Sequence, residues 1–146
     1  MKTYVSSSFE ETKKIAAEFA HKLKGGELIA LVGDLGSGKT TFVRGMAEAL
    51  GATAPVKSPT FTLMNIYTTA DARIKRLVHL DFYRLGSQSE AFGLEEERRP
   101  DTVVCVEWPQ EDETQKPSWT VLFEHGATMN ERVITLQQHG TPPRQT

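Results

Sequence analysis

Residues 27–41 read Glu-Leu-Ile-Ala-Leu-Val-Gly-Asp-Leu-Gly-Ser-Gly-Lys-Thr-Thr. The stretch opens with a short apolar run containing β-branched residues, passes through a glycine-rich turn and continues into Lys39 to Leu50, where Phe42, Val43, Met46 and Leu50 recur at helical spacing. An uninterrupted apolar run of this length, Glu27 to Val32, predicts a strand buried on both faces. Gly51 closes the helix that follows. Strand, turn and helix in this order predict an α/β fold.

The turn, Gly33-Asp34-Leu35-Gly36-Ser37-Gly38-Lys39-Thr40, satisfies G-x-x-x-x-G-K-[ST] at each fixed position. Glycines let successive backbone N–H groups point inward at phosphate oxygens, and the positive end of the following helix faces the same anion. Lys39 then reaches the β- and γ-phosphates, the Thr40 hydroxyl is placed to ligate Mg²⁺, and Thr41 adjoins them. At ordinary residue frequencies such a match arises by chance in roughly one chain of this length in a hundred. No N/T-K-x-D segment of the kind that reads guanine occurs, which favours ATP as the nucleotide.

Outward from this motif, Ser8 and Glu11 have capping-box spacing, and Ile15, Ala16, Phe19, Ala20 and Leu23 form an apolar stripe that ends at Gly25-Gly26. Thr62–Tyr67 and Ile74–Phe82 read as a hairpin, Leu85–Arg99 as a polar segment with a short helix starting near Ser87 or Ser89, and Thr102–Trp108 as a buried strand. Trp119–Glu124 and Arg132–Gln137 are two further strands. The predicted order is β-α-β-α-β-β-(α)-β-β-β, an α/β domain with a mixed sheet flanked by helices. One domain covers residues 1–138, and 139–146 form a frayed C-terminal tail.

Composition narrows the function. The chain has 146 residues, 38% hydrophobic and 25% charged, which suits one globular core. Seventeen Lys and Arg against nineteen Asp and Glu give a net charge of -2, so a domain that grips nucleic acid by charge alone is disfavoured. One cysteine, Cys105, excludes an internal disulfide and reads as an inert core thiol. No apolar run approaches a membrane span, and the N-terminus lacks signal-peptide character; a cytoplasmic protein without a membrane role is expected.

Two acids end apolar strands: Asp81 in Leu-Val-His-Leu-Asp and Glu107 in Val-Val-Cys-Val-Glu. Either suits magnesium or the attacking water. Ser58-Pro59-Thr60 reads either as a switch-like segment that carries a hydroxyl toward the γ-phosphate or as a plain proline turn, and Trp108 either as rim packing or as a wall of the nucleotide site. His79, among apolar neighbours, reads as a packed histidine rather than a ligand.

GDLGSGKTTF at 33–42, VKSPTFTL at 56–63, HLDFYRL at 79–85 and VEWPQ at 106–110, in that order, resemble the TsaE (YjeE) family. The resemblance implies a P-loop NTPase domain and a Mg²⁺-dependent ATPase. Its implied role is in threonylcarbamoyladenosine (t6A) modification of adenosine 37 in tRNAs reading ANN codons. The implied partners are TsaD and TsaB, with tRNA met only indirectly. It assigns phosphate and magnesium binding to Lys39 and Thr40, magnesium binding and catalysis to Glu107, and the H-x-D aspartate to Asp81. Thr60 takes the switch-like place, and Thr12, of the Glu-Glu-Thr at 10–12, approaches the nucleotide. Two other readings stand beside it: a small-metabolite P-loop kinase, and a nucleotide-binding regulatory module without turnover. The kinase calls for a mostly parallel sheet with an arginine-rich lid, and the module for Asp81 and Glu107 facing away from the phosphates.

Overall fold

The structure, a computed structural model, describes residues 1–33, 38–52, 64–81, 98–108 and 117–139, with Met64, Asp81 and Trp108 described as backbone only. The elements are β1 (Lys2–Ser6), α1 (Phe9–Ala20), β2 (Leu28–Gly33), α2 (Lys39–Ala49), β3 (Met64–Thr68), β4 (Arg76–Asp81), β5 (Thr102–Trp108), β6 (Trp119–His125) and β7 (Arg132–Gln138). The segment 85–97 expected to hold a short helix lies outside the described residues.

The strands form one sheet in the order β1-β7-β6-β2-β5-β4-β3. β4, β5, β2 and β6 run parallel, while β3, β7 and β1 pair antiparallel at the flanks. This is the mixed α/β sheet expected from the sequence. β2 lies between β5 and β6, so connections leave it in both directions and its carboxyl end opens a crevice of the kind where open α/β sheets bind ligands.

Side-chain alternation sorts the central strands onto two faces. Ile29, Leu31, Leu77, Val103 and Cys105 join the core beneath α1 and α2, while Leu28, Ala30, Val78, Leu80, Val104 and Val106 form a second cluster on the opposite face. The continuous apolar runs in the sequence therefore mark strands buried on both sides. An aromatic chain binds the helices to the sheet: Phe19 stands 5.8 Å from Phe42 and 5.0 Å, edge-on, from Trp119, and Phe42 meets Phe123 at 5.5 Å. Each pair adds about 0.5–1.5 kcal/mol beyond the area it buries.

Element boundaries differ from the sequence reading where side chains compete for backbone groups. The strand predicted from Glu27 begins at Leu28, because the Glu27 carboxylate accepts from Lys24 N–H at 2.7 Å and Gly25 N–H at 2.8 Å and so belongs to the turn. The strand predicted from Ile74 begins at Arg76. Asp71 Oδ1 accepts from Arg73 N–H and Ile74 N–H, and these bonds hold the Asp71 carboxyl below the usual carboxylate range. His139, first residue of the expected tail, donates its N–H to Ser118 O and places Nε2 2.7 Å from Thr120 Oγ1; residues 140–146 lie outside the described residues.

The helices cross closely at Gly45. A Cβ there would stand 2.7 Å from both Cα and carbonyl O of Lys13 and 2.8 Å from Ala16 Cβ. Gly45→Ala gains about 1 kcal/mol of helix propensity but overpacks backbone against backbone, which typically costs about 1–3 kcal/mol. Net destabilisation is expected, read as a lower urea midpoint at unchanged slope; a raised midpoint would contradict this packing.

Candidate nucleotide site

The amino-terminal ends of α1 and α2 and the carboxyl ends of β2, β4 and β5 carry most of the candidate residues. Gly33 ends β2, and Gly38, the N-cap of α2, has φ +108°, a left-handed conformation in which a side chain is strained. Gly38 offers no side chain to bond the first N–H groups of the helix. The first intrahelical bond, Phe42 N–H to Gly38 O, measures 2.9 Å, so the N–H groups ahead of it lie outside the helix's own hydrogen-bond ladder.

Lys39 is 4% exposed, and its Nζ donates to Gly33 O, back across the turn. An ammonium this deeply buried calls for oxygen partners. Its neighbours Thr40 and Thr41 are half-buried on the first turn of α2. Of the predicted loop, Gly33, Gly38, Lys39, Thr40 and Thr41 are described; Asp34, Leu35, Gly36 and Ser37 lie outside the described residues.

α1 brings Thr12 to the same end. Ser8 caps the helix by accepting from Glu11 N–H at 3.1 Å, as the capping-box spacing predicts. Ser6 Oγ donates to Ser8 O at 2.9 Å and lies 2.7 Å from Thr12 Oγ1. Ser6 has one hydroxyl proton, so the Thr12 hydroxyl donates to Ser6 and retains acceptor capacity. These residues open onto a cavity of about 270 Å³, lined by Ser6, Ser8 and Thr12, by Gly38 and Thr41 at the start of α2, and by Asn130 before β7 and Arg132 at its start. Arg132 reads in the sequence as an arginine that could meet phosphate or a partner, whereas Asn130 carries no signal for this place, because the β6–β7 hairpin is brought here only by the sheet order.

The acids are brought side by side. Glu107 of β5 is in register with Leu31 of β2 on one side and Asp81 of β4 on the other, at the end of the sheet where Gly33 follows two residues later. Glu107 is 7% exposed, and its Oε2 meets the Nε2 of the fully buried His79. The sequence reading of His79 as a packed histidine captured its burial and missed this partner. Trp108 pairs in register with Val32, and its side chain, like that of Asp81 and like Ser58 and Thr60, lies outside the described residues. Burial, with the nearby Glu107 charge, pushes the Cys105 thiol far above its ordinary range, in keeping with an inert core thiol.

Among the described residues no three His, Cys, Asp or Glu side chains converge as a metal cluster, and no helix is long and apolar enough to cross a membrane.

A family profile described as Threonylcarbamoyl adenosine biosynthesis protein TsaE matches residues 6–134. The chain belongs to the TsaE family. It is 45% identical over 108 residues to the tRNA threonylcarbamoyladenosine biosynthesis protein TsaE of Bacillus subtilis, an alignment covering 74% of this chain and 66% of that protein. With the Aquifex aeolicus protein of the same name it shares 42% identity over 140 residues, covering 93% of this chain and 96% of that one. The crystal structure of Bacillus subtilis YdiB superposes with a TM-score of 0.76 at 35% identity, over 95% of this chain and 86% of that one. Membership of TsaE and the antiparallel flanks of the sheet both run against the metabolite-kinase alternative, which calls for repeated parallel βα units.

Among the described residues nothing stands within 4 Å of a Cβ built on Gly38. The cost of Gly38→Ala is therefore purely conformational, about 1–3 kcal/mol. A correspondingly lower urea midpoint is the expected outcome; an unchanged midpoint would mean that the left-handed turn is not needed.

Proposed function

We propose that this TsaE protein is a Mg²⁺-dependent ATPase that serves t6A formation on adenosine 37 of ANN-reading tRNAs. It acts with TsaD and TsaB-like transferase partners and meets tRNA only indirectly. The observation that carries the ATPase half is the buried Lys39, tied back to Gly33 beneath an uncapped helix N-terminus, with Glu107 in register beside the same strand. The printed names of the Bacillus and Aquifex relatives support the t6A half. A net charge of -2 fits a helper that need not grip tRNA itself.

Lys39 and the first N–H groups of α2 hold the β- and γ-phosphates and spread the charge that moves to the leaving oxygen. The cavity beside Thr41 suits the rest of the nucleotide, with Thr12 supplying an acceptor toward a donor such as the adenine amino group. The donor set is hard oxygen throughout, a Thr40 hydroxyl with the Glu107 and Asp81 carboxylates, which fits magnesium. Bound there, Mg²⁺ supplies charge neutralisation at the phosphates. Glu107 and Asp81, side by side on parallel strands, also provide the acceptor that orients the attacking water. Burial of Glu107 keeps bulk water from competing for it.

Lys39→Ala is expected to abolish the melting shift produced by ATP. In the unaltered protein that shift corresponds to about 2.7 kcal/mol at a hundredfold excess over Kd. Glu107→Gln should lower turnover far more than it weakens binding. An undiminished melting shift in the lysine variant, or equal turnover by the glutamine variant, removes the corresponding residue from the mechanism. In a reconstituted reaction with the transferase subunits, repeated tRNA modification should require both this protein and ATP; unimpaired cycling without it would leave a nucleotide-binding module only.

A further inference from the structure

β4 and β5 are mostly apolar strands, with Arg76, His79 and Asp81 the polar residues of the first and Thr102 and Glu107 those of the second. Apart from Thr102 at the start of β5, His79 and Glu107 are the polar side chains buried in these two strands among the described residues. On the same sheet face Leu77, Val103 and Cys105 are fully buried hydrophobic residues, while Val78, Leu80, Val104 and Val106 fill the opposite face. An imidazole in such surroundings is costlier than an aliphatic side chain unless its N–H is satisfied.

The register explains how it is satisfied. His79 pairs with Cys105 and Asp81 with Glu107, so His79 and Glu107 share a sheet face and meet on the diagonal between adjacent parallel strands. Nε2 of His79 contacts Oε2 of Glu107, while Nδ1 has no hydrogen-bond partner among the described residues. The tautomer with its proton on Nε2 spends its one donor on the carboxylate; the other tautomer would bury an unpaired N–H. The imidazole is thus the donor and Glu107 the acceptor.

A glutamate has three side-chain torsions, and a carboxylate that must meet a nucleotide in one geometry gains from having them fixed. We infer that His79 is a positioning residue for the ATPase reaction: its Nε2–H clamps Oε2 of Glu107, so that Oε1 is held in one place to act at the phosphate end of the site. This rests on the ATPase reading of Glu107 given above. His79 itself touches neither nucleotide nor metal in this assignment.

The test compares His79→Leu, which removes the donor, with His79→Gln, whose amide nitrogen reaches about as far as Nε2, each with and without Glu107→Gln. His79→Leu should lower kcat for ATP hydrolysis on the order of 10- to 100-fold while Kd for ATP, by calorimetry, stays within about twofold. His79→Gln should recover most of the loss, and in the Glu107→Gln background His79→Leu should cost nothing further. Nitrogen-15 spectra of the imidazoles should show His79 protonated on Nε2, with a resonance that moves on Glu107→Gln. A proportional loss that persists in the Glu107→Gln background overturns the clamp. So does a folded His79→Gln as impaired as His79→Leu, or a His79 resonance indifferent to Glu107→Gln. If His79→Leu fails to fold, His79→Gln against the shorter His79→Asn makes the same comparison, activity surviving with the longer amide alone. A wild-type protein that binds but never hydrolyses ATP would remove the ATPase reading, and with it the assigned role; the spectra would then report separately on whether the clamp exists.

Discussion

Burial of the Lys39 ammonium beside the end of β2 is the constraint on which the remaining structure depends. A cation only 4% exposed must be surrounded by oxygen, and the Gly33 carbonyl is one such oxygen, delivered by the strand that precedes it. This ties the end of β2 to the start of α2 across the turn. α2 cannot shift independently, because Phe42, Val43 and Met46 on its inner stripe are fully buried against the sheet and α1. The turn is therefore held at both ends by a packed core, and the helix N-terminus faces one fixed point at the sheet's edge. For the anion site proposed above, such fixed ends would supply preorganisation: dipoles aimed in advance of the charge.

The sheet order converts this local feature into a site. β2 is central, with β5 on one side and β6 on the other, so strands from both halves of the sheet flank the end where Gly33 lies. Through β5 and β4 come Glu107, Asp81 and His79; through β6 and β7 come Asn130 and Arg132; α1 leans over α2 at Gly45 and brings the Ser6–Thr12 hydroxyl pair. Of these groups Glu107 is buried, and its Oε2 meets Nε2 of the fully buried His79. The exposed ion pair between Lys13 and Glu48 joins the same two helices at 3.0 Å, but solvent leaves such pairs little weight; the aromatic chain from Trp119 to Phe123 holds the layers together.

Local pattern was enough for β2 and α2, for α1 and for each of the strands that follow. Hydrophobic periodicity is written in neighbouring residues, and a loop that wraps phosphate needs its glycines and lysine at fixed spacing. The same locality set the limits. Glu27 and Ile74 look like strand residues by composition, yet turn hydrogen bonds claim them, a competition that apolar pattern does not register.

What the chain determined by itself was local: a strand buried on both faces, the G-x-x-x-x-G-K-[ST] spacing and two acids at strand ends are all short-range facts. Only tertiary structure decided which acid stands beside which strand, that His79 spends its N–H on Glu107, and that a hairpin near the C-terminus helps line the cavity at α2. The reason is physical. Register between parallel strands is set by burial on both faces of the sheet and by crossovers tens of residues long, so pairs such as His79 and Glu107, or Thr12 and Thr41, become neighbours only when the whole core closes.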